Sequence, residues 1–136
     1  GSQVPETGRT IGEELLVPTL IYSRLTAHLA EKRLISAAAH ITGGGIPGNL
    51  IRILPDGLRA CVRKGSWQVP RVFSIIQRHG RIEDAEMFRV FNMGLGMILV
   101  CRPSSVDDVC AAARRRGFSP FVVGEIRRGS STVTIS

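Results

Sequence analysis

A run of apolar residues is cut by three glycines in succession, Gly43-Gly44-Gly45, and that interruption confines the local fold to a sharp corner. Leu34, Ile35 and Ala37 to Ala39 lead in, His40-Ile41-Thr42 stands directly before the glycines, and Ile46-Pro47-Gly48-Asn49-Leu50-Ile51-Arg52-Ile53-Leu54-Pro55 follows. This order reads as a strand over 34–42, a tight turn, then a helix over 47–54. Pro47 suits a first helical turn and Pro55-Asp56-Gly57 supplies a stop. Glycine loses more conformational entropy on folding than any other residue, so three together imply a backbone reason. One reading is a plain flexible turn. The sharper reading is a cradle in which backbone amides approach an anion or a phosphate. Two familiar cradles are excluded: no acidic partner is placed about 20 residues further on, as a dinucleotide-binding corner would need, and no Gly-Lys-Ser/Thr follows.

The remaining pattern supplies a scaffold for this corner. Gly1-Ser2 resembles a cleavage scar from an expression tag, and residues 3–14, with Pro5, Gly8, Gly12 and the Glu13-Glu14 pair, read as a linker or arm. Residues 15–136 read as one domain. Leu20 to Glu31 fits an amphipathic helix with Ile21, Leu25, His28 and Leu29 broadly on one side. Leu58 to Val62 alternates as a strand, and Trp67 is an expected anchor. Pro70 opens a helix that holds Val72, Phe73 and Ile76 inward and stops at Gly80. Glu83 to Phe91 is a short helix with Met87, Val90 and Phe91 inward. Asn92-Met93-Gly94-Leu95-Gly96 is a second glycine corner, followed by the wholly apolar strand Met97 to Cys101.

Ser104 or Ser105 is placed to cap a helix whose first turn carries Asp107 and Asp108 and whose last turn carries Arg114 to Arg116, the charge order that suits the helix dipole. Gly117 ends it. Phe121 to Val123 reads as a strand, Gly124 as a bulge, Ile126 as its continuation, Arg127 to Ser131 as a turn, and Thr132 to Ile135 as a last strand in hairpin relation. Strands and helices alternate but close on a turn, so the expected class is α+β, a mixed β-sheet covered by helices.

With 136 residues, 43% of them hydrophobic, the chain can bury a core. Its 18 Lys+Arg against 11 Asp+Glu leave a net charge of +7, which raises the question of a nucleic-acid partner. No aromatic-basic interleaving, recognition helix or zinc spacing accompanies that charge, so solvated faces explain it better. Cys61, Cys101 and Cys110 are odd in number and widely spaced, which fits neither a disulfide framework nor a metal knuckle. Cys61 and Cys101 are expected as small core residues. A reducing cytoplasm fits this usage, and no membrane span or signal peptide is visible.

Several side chains near the glycine corner can carry chemistry. His40 is either a satisfied, partly buried histidine or a proton carrier at a strand end. Thr42 is either a turn cap or a phosphate ligand. Asn49 and Arg52, three apart, are expected on one helix face, either merely solvated or offering an amide and a guanidinium to a phosphorylated substrate. Asn92 either caps the preceding helix or, if the two glycine corners meet, joins the same site. His28 and His79 are read as structural. No Ser-His-Asp, Cys-His or paired-carboxylate arrangement is present in the pattern, and no metal ligands are assigned.

Longer blocks add a resemblance. Leu15-Leu16-Val17-Pro18-Thr19-Leu20-Ile21-Tyr22, His40 to Gly45, Asn49, Arg52-Ile53-Leu54-Pro55, Trp67, Pro70-Arg71-Val72-Phe73, Glu86 to Met97 and Val123-Gly124-Glu125-Ile126 stand in the order and spacing of one family. Together they resemble the C-terminal domain of phosphoribosylformylglycinamidine cyclo-ligase, the aminoimidazole ribonucleotide synthetase of purine biosynthesis. The likeness runs from about Leu15 to Ile126. There are departures. The family often carries glutamate where Gly48 stands, proline where Ile51 stands and arginine where Leu20 stands.

The resemblance implies a two-domain enzyme. Its N-terminal domain handles ATP and Mg2+ and forms the homodimer, and its C-terminal domain closes a cleft over formylglycinamidine ribonucleotide. ATP activates the formyl oxygen, a nitrogen closes the ring, and aminoimidazole ribonucleotide, ADP and phosphate result. By the same resemblance His40, Thr42, Gly43, Gly44 and Gly45 line the cleft, while Asn49, Arg52 and Asn92 support it or contact the substrate phosphate. The isolated domain is then expected to hold no cofactor and to lack turnover. Two other readings stay open: a domain of a related enzyme such as formylglycinamidine ribonucleotide synthase, or a binding module that keeps the fold without catalysis.

Overall fold

The computed structural model describes residues 10–136. Gly1-Ser2 and the first part of the expected arm lie outside the described residues. Thr10 caps a short helix, α1 (Ile11–Leu15), through a capping box in which its side chain accepts from the Glu13 amide and the Glu13 carboxylate accepts from the Thr10 amide. The chain then runs without regular secondary structure through Pro18 to Ile21. Helix α2 (Ser23–Glu31) starts later than the expected Leu20, with Tyr22 at its N-cap. This corrects the inward face: Leu25 and Leu29 are buried, while Ile21 lies outside the helix and is 79% exposed.

Strand β1 (Ala37–His40) leads into the glycine corner and α3 (Gly45–Leu50), which tightens into a 3-10 turn over Ile51–Ile53. The helix therefore begins two residues ahead of the expected Pro47, because Gly44 takes the N-cap in a left-handed conformation, φ 96°. Strand β2 (Leu58–Val62) falls where alternation puts it. Helices α4 (Arg71–Gly80) and α5 (Asp84–Val90) follow, with Pro70 at the N-cap of α4. In α5, Met87 and Phe88 are buried and Val90 is 40% exposed, so the expected Val90 contact is replaced by Phe88. Trp67 explains the exchange: its ring meets Phe88 edge-on at 6.3 Å.

Strand β3 (Met97–Val100) precedes a 3-10 turn at Pro103–Ser105 and helix α6 (Val106–Arg114). Ser105 occupies the N-cap of α6 in a helical conformation and makes no side-chain cap bond, so the turn before it, not a hydroxyl, starts the helix. Strand β4 (Gly124–Arg128) begins where a bulge was expected, and Phe121 to Val123 are not strand. Gly124 is required there by close approach: a Cβ would stand 2.0 Å from the Cys61 carbonyl oxygen. Strand β5 (Val133–Ile135) is not a hairpin partner of β4. It pairs parallel to β2, while β4 pairs antiparallel on the other side of β2. The Gly129 amide bonds to the Gly57 carbonyl and carries the connection around the start of β2.

Among the described residues the strands form two sheets, an antiparallel β1-β3 pair and a mixed β4-β2-β5 sheet, and with the covering helices the class is α+β. In β3, Ile98 packs into a core with Ala39, Ile46, Leu50, Val62, Trp67, Met87 and Phe88, and Leu99 packs against Leu25, Leu29, Val109, Ala112 and Ala113. Apolar cores on both faces of β3 account for its unbroken hydrophobic run. Cys101 and Cys61 are both only partly buried. Burial and the nearby Cys110 push the Cys101 thiol above its ordinary range.

Candidate functional site

The two glycine corners meet. His40 of β1 lies opposite Met97 of β3, and one residue later the Ile41 amide donates to the Gly96 carbonyl at 2.9 Å. Strand pairing thus brings His40-Ile41-Thr42 to the exit of Asn92–Gly96. The second corner is itself pinned. Trp67 Nε1 donates to the Met93 carbonyl at 2.9 Å, and the Asn92 Oδ1 accepts from the Gly94 amide at 2.9 Å. Asn92 therefore shapes the turn that follows it and does not cap the helix before it.

In the first corner the glycines have different duties. Gly44 (φ 96°) and Gly45 (φ 59°) take left-handed conformations. A Cβ on Gly45 would stand 2.1 Å from the Phe88 carbonyl oxygen, so this glycine lets α3 close on α5. Gly43 has no heavy atom within 4 Å of such a position. Gly43 and Gly44 are exposed, and their amides meet no acceptor among the described residues. That leaves two N–H groups facing out of a fixed turn, which is chemistry suited to an anion.

Asn49 is what fixes the turn. It is 6% exposed, and its amide nitrogen donates to the Gly45 carbonyl at 2.7 Å and lies 3.3 Å from those of Thr42 and Gly43. Its Oδ1 accepts from the Thr42 hydroxyl at 3.4 Å. Every polar atom of Asn49 is turned onto the corner. Arg52, by contrast, is exposed on the 3-10 turn that packs against β1. The expected shared face of Asn49 and Arg52 is not found, because the helix tightens between them and one side chain is buried.

His40 and Thr42 are exposed. The residue that pattern reasoning named without a role is Tyr22. Its ring stands 6.0 Å from the His40 ring, edge-on, and stacks on Phe118 at 5.5 Å. Its contact with Gly96 joins residues far apart in the chain, which no local signal announces. His79 bonds within its own helix, to the Ile75 carbonyl, as a structural histidine does. A groove of about 450 Å³ opens beside the corner between β3, α6 and residues 118–126, and Tyr22, Gly96 and Phe118 are among its lining. The corner itself is an open surface outside that groove. Among the described residues, no group of three or more His, Cys, Asp or Glu is arranged to hold a metal ion, and no helix is long and apolar enough to cross a membrane.

Comparison with known proteins places this geometry. The family described as AIR synthase related protein, C-terminal domain, matches residues 1–136. The phosphoribosylformylglycinamidine cyclo-ligase of Desulfitobacterium hafniense (strain DSM 10664 / DCB-2) is 44% identical over 130 residues, covering 96% of this chain and 38% of that protein. That of Trichlorobacter lovleyi is 41% identical over 133 residues, 98% of this chain and 38% of its own. That of Thermoanaerobacter pseudethanolicus is 45% identical over 123 residues, 90% and 36% respectively. The chain thus spans well under half the length of these relatives.

Proposed function

The chain belongs to the AIR synthase related protein C-terminal domain family, and from that premise we propose that it is the substrate-side wall of an ATP-dependent cyclo-ligase of purine biosynthesis. The substrate in this reading is formylglycinamidine ribonucleotide, the products aminoimidazole ribonucleotide, ADP and phosphate. The observation that carries the reading is the joined pair of corners: an exposed histidine, two outward glycine amides and an exposed arginine held on a frame of buried hydrogen bonds. The relatives that share this chain's sequence bear the cyclo-ligase name.

Activating an amide-like oxygen and closing a ring demands orientation and charge stabilisation more than a protein nucleophile. The Gly43 and Gly44 amides and the Arg52 guanidinium are suited to phosphate oxygens, with Thr42 as a neighbouring hydroxyl donor. His40 is the group that holds or moves a proton near the reacting atoms. Asn49 and Asn92 keep the two turns in shape and serve the substrate indirectly. Handling of Mg2+ and of ATP is not ascribed to the described residues, among which no group of three or more His, Cys, Asp or Glu could hold a metal ion. Those duties, and the homodimer, are assigned to the portion of the relatives that this chain does not span. The same division makes the isolated chain inactive by itself, and a cytoplasmic location accords with such a role.

The test is direct. The full-length protein that carries this chain, incubated with ATP and formylglycinamidine ribonucleotide, should form the aminoimidazole product and ADP together. A folded protein that forms neither refutes the reading. Turnover of the formylglycinamidine precursor with glutamine instead would assign it to the related synthase.

A further inference from the structure

We propose that Tyr22 is a positioning residue for His40, a role that rests on the reading of His40 given above. Three rings stand in file: Phe118 stacks on Tyr22 at 5.5 Å and 23°, and Tyr22 meets His40 at 6.0 Å and 60°. Tyr22 belongs to neither hydrophobic core. Its ring is directed at the end of β1, where the exposed His40 side chain would otherwise be free to change rotamer.

The backbone under Tyr22 is fixed. As the N-cap of α2 its carbonyl accepts from the amides of Leu25 and Thr26, each at 3.0 Å, and from the Thr26 hydroxyl at 3.2 Å. The ring lies across Gly96, where a Cβ would stand 2.1 Å from the phenol oxygen and 2.9 Å from Cζ. Only glycine admits the ring there. The Gly96 carbonyl in turn accepts from Ile41, next to His40. The ring that touches the imidazole therefore bears on the same backbone that sets the register of β1. Burial pushes the phenol above its ordinary value, so Tyr22 is neutral at physiological pH and orients His40 without adding charge.

The experiment uses the full-length protein with labelled histidine, comparing Tyr22→Phe and Tyr22→Leu. Tyr22→Phe keeps the ring and should leave kcat, KM and the His40 ring resonances within about twofold or unshifted. Tyr22→Leu should lower kcat about tenfold with KM within about twofold, and should move the His40 ring resonances as the aromatic neighbour is lost. Unmoved resonances or an unchanged kcat in Tyr22→Leu overturns the proposal. Should Tyr22→Leu not fold, Phe118→Leu decides: loosening the file from behind should shift the same resonances and lower kcat about threefold, and no change in either overturns it. His40→Ala separates the two levels. A fully active His40→Ala refutes the role of His40 and positioning with it. An inactive His40→Ala beside a fully active Tyr22→Leu refutes positioning alone.

Discussion

Asn49 turns its amide nitrogen inward, onto the carbonyls of Thr42, Gly43 and Gly45, whereas His40, a strand-end neighbour of the same corner, keeps an exposed ring. The two substitutions should therefore part company. Asn49→Ala removes the buried donor to the Gly45 carbonyl and the links to Thr42 and Gly43 that hold the turn, a loss of about 1–3 kcal/mol that urea unfolding will show. The glycines divide in the same way. Gly45→Ala adds a Cβ 2.1 Å from a carbonyl oxygen at a φ of +59° and should cost more than about 2 kcal/mol. Gly48→Ala, in α3 with nothing within 4 Å, should gain about 0.5–1 kcal/mol, both read as shifts in urea midpoint. Tyr22 gives a pH signature. Its phenol is raised from 10.0 by burial, so the unfolded chain ionises first as pH rises. The stability held below pH 10.0 is then lost as pH climbs toward the folded-state value, and Tyr22→Phe should lose less of it as pH rises past 10.0.

At the scale of elements, what was legible in the sequence is what local physics decides. Alternation placed β2 at Leu58–Val62, and proline and glycine placed the ends of α4. The misplacements share a cause in long-range contact. Val90 gave way to Phe88 because Trp67 stands where it does. Gly124 has a bulge's composition but serves a close crossing against Cys61. The sequence of β5 alternates as a hairpin strand would, yet Gly129 bonds to Gly57 and sends it to the far side of β2. The site was read in the same mixture. The glycine corner was visible from residue types alone, but the burial of Asn49 depends on α3 tightening into a 3-10 turn before Arg52. Tyr22 depended on a contact with Gly96 that no window of sequence contains.

Taken whole, the molecule is a frame that presents one worked corner and one apolar strip. Leu16 (81%), Ile21 (79%), Leu15 (62%) and Leu20 (61%) are exposed along the approach to α2. Soluble chains seldom leave contiguous apolar surface of that kind bare. Leu16→Lys with Ile21→Lys should lower binding of a hydrophobic dye to the isolated chain and leave its melting temperature within a degree or two, about what surface substitutions do. A large drop in melting temperature would show that these side chains belong to the core instead. In the proposed reading, the frame of the corner is held by Asn49, Trp67 and Gly96, and its chemistry is carried by the exposed His40. The deciding measurement is the rate of aminoimidazole ribonucleotide formation by full-length His40→Ala, taken with its unfolding midpoint. Turnover should fall by about a hundredfold or more while the midpoint stays within about 0.5 kcal/mol of the parent. Undiminished turnover, or activity lost only together with the fold, would contradict the account.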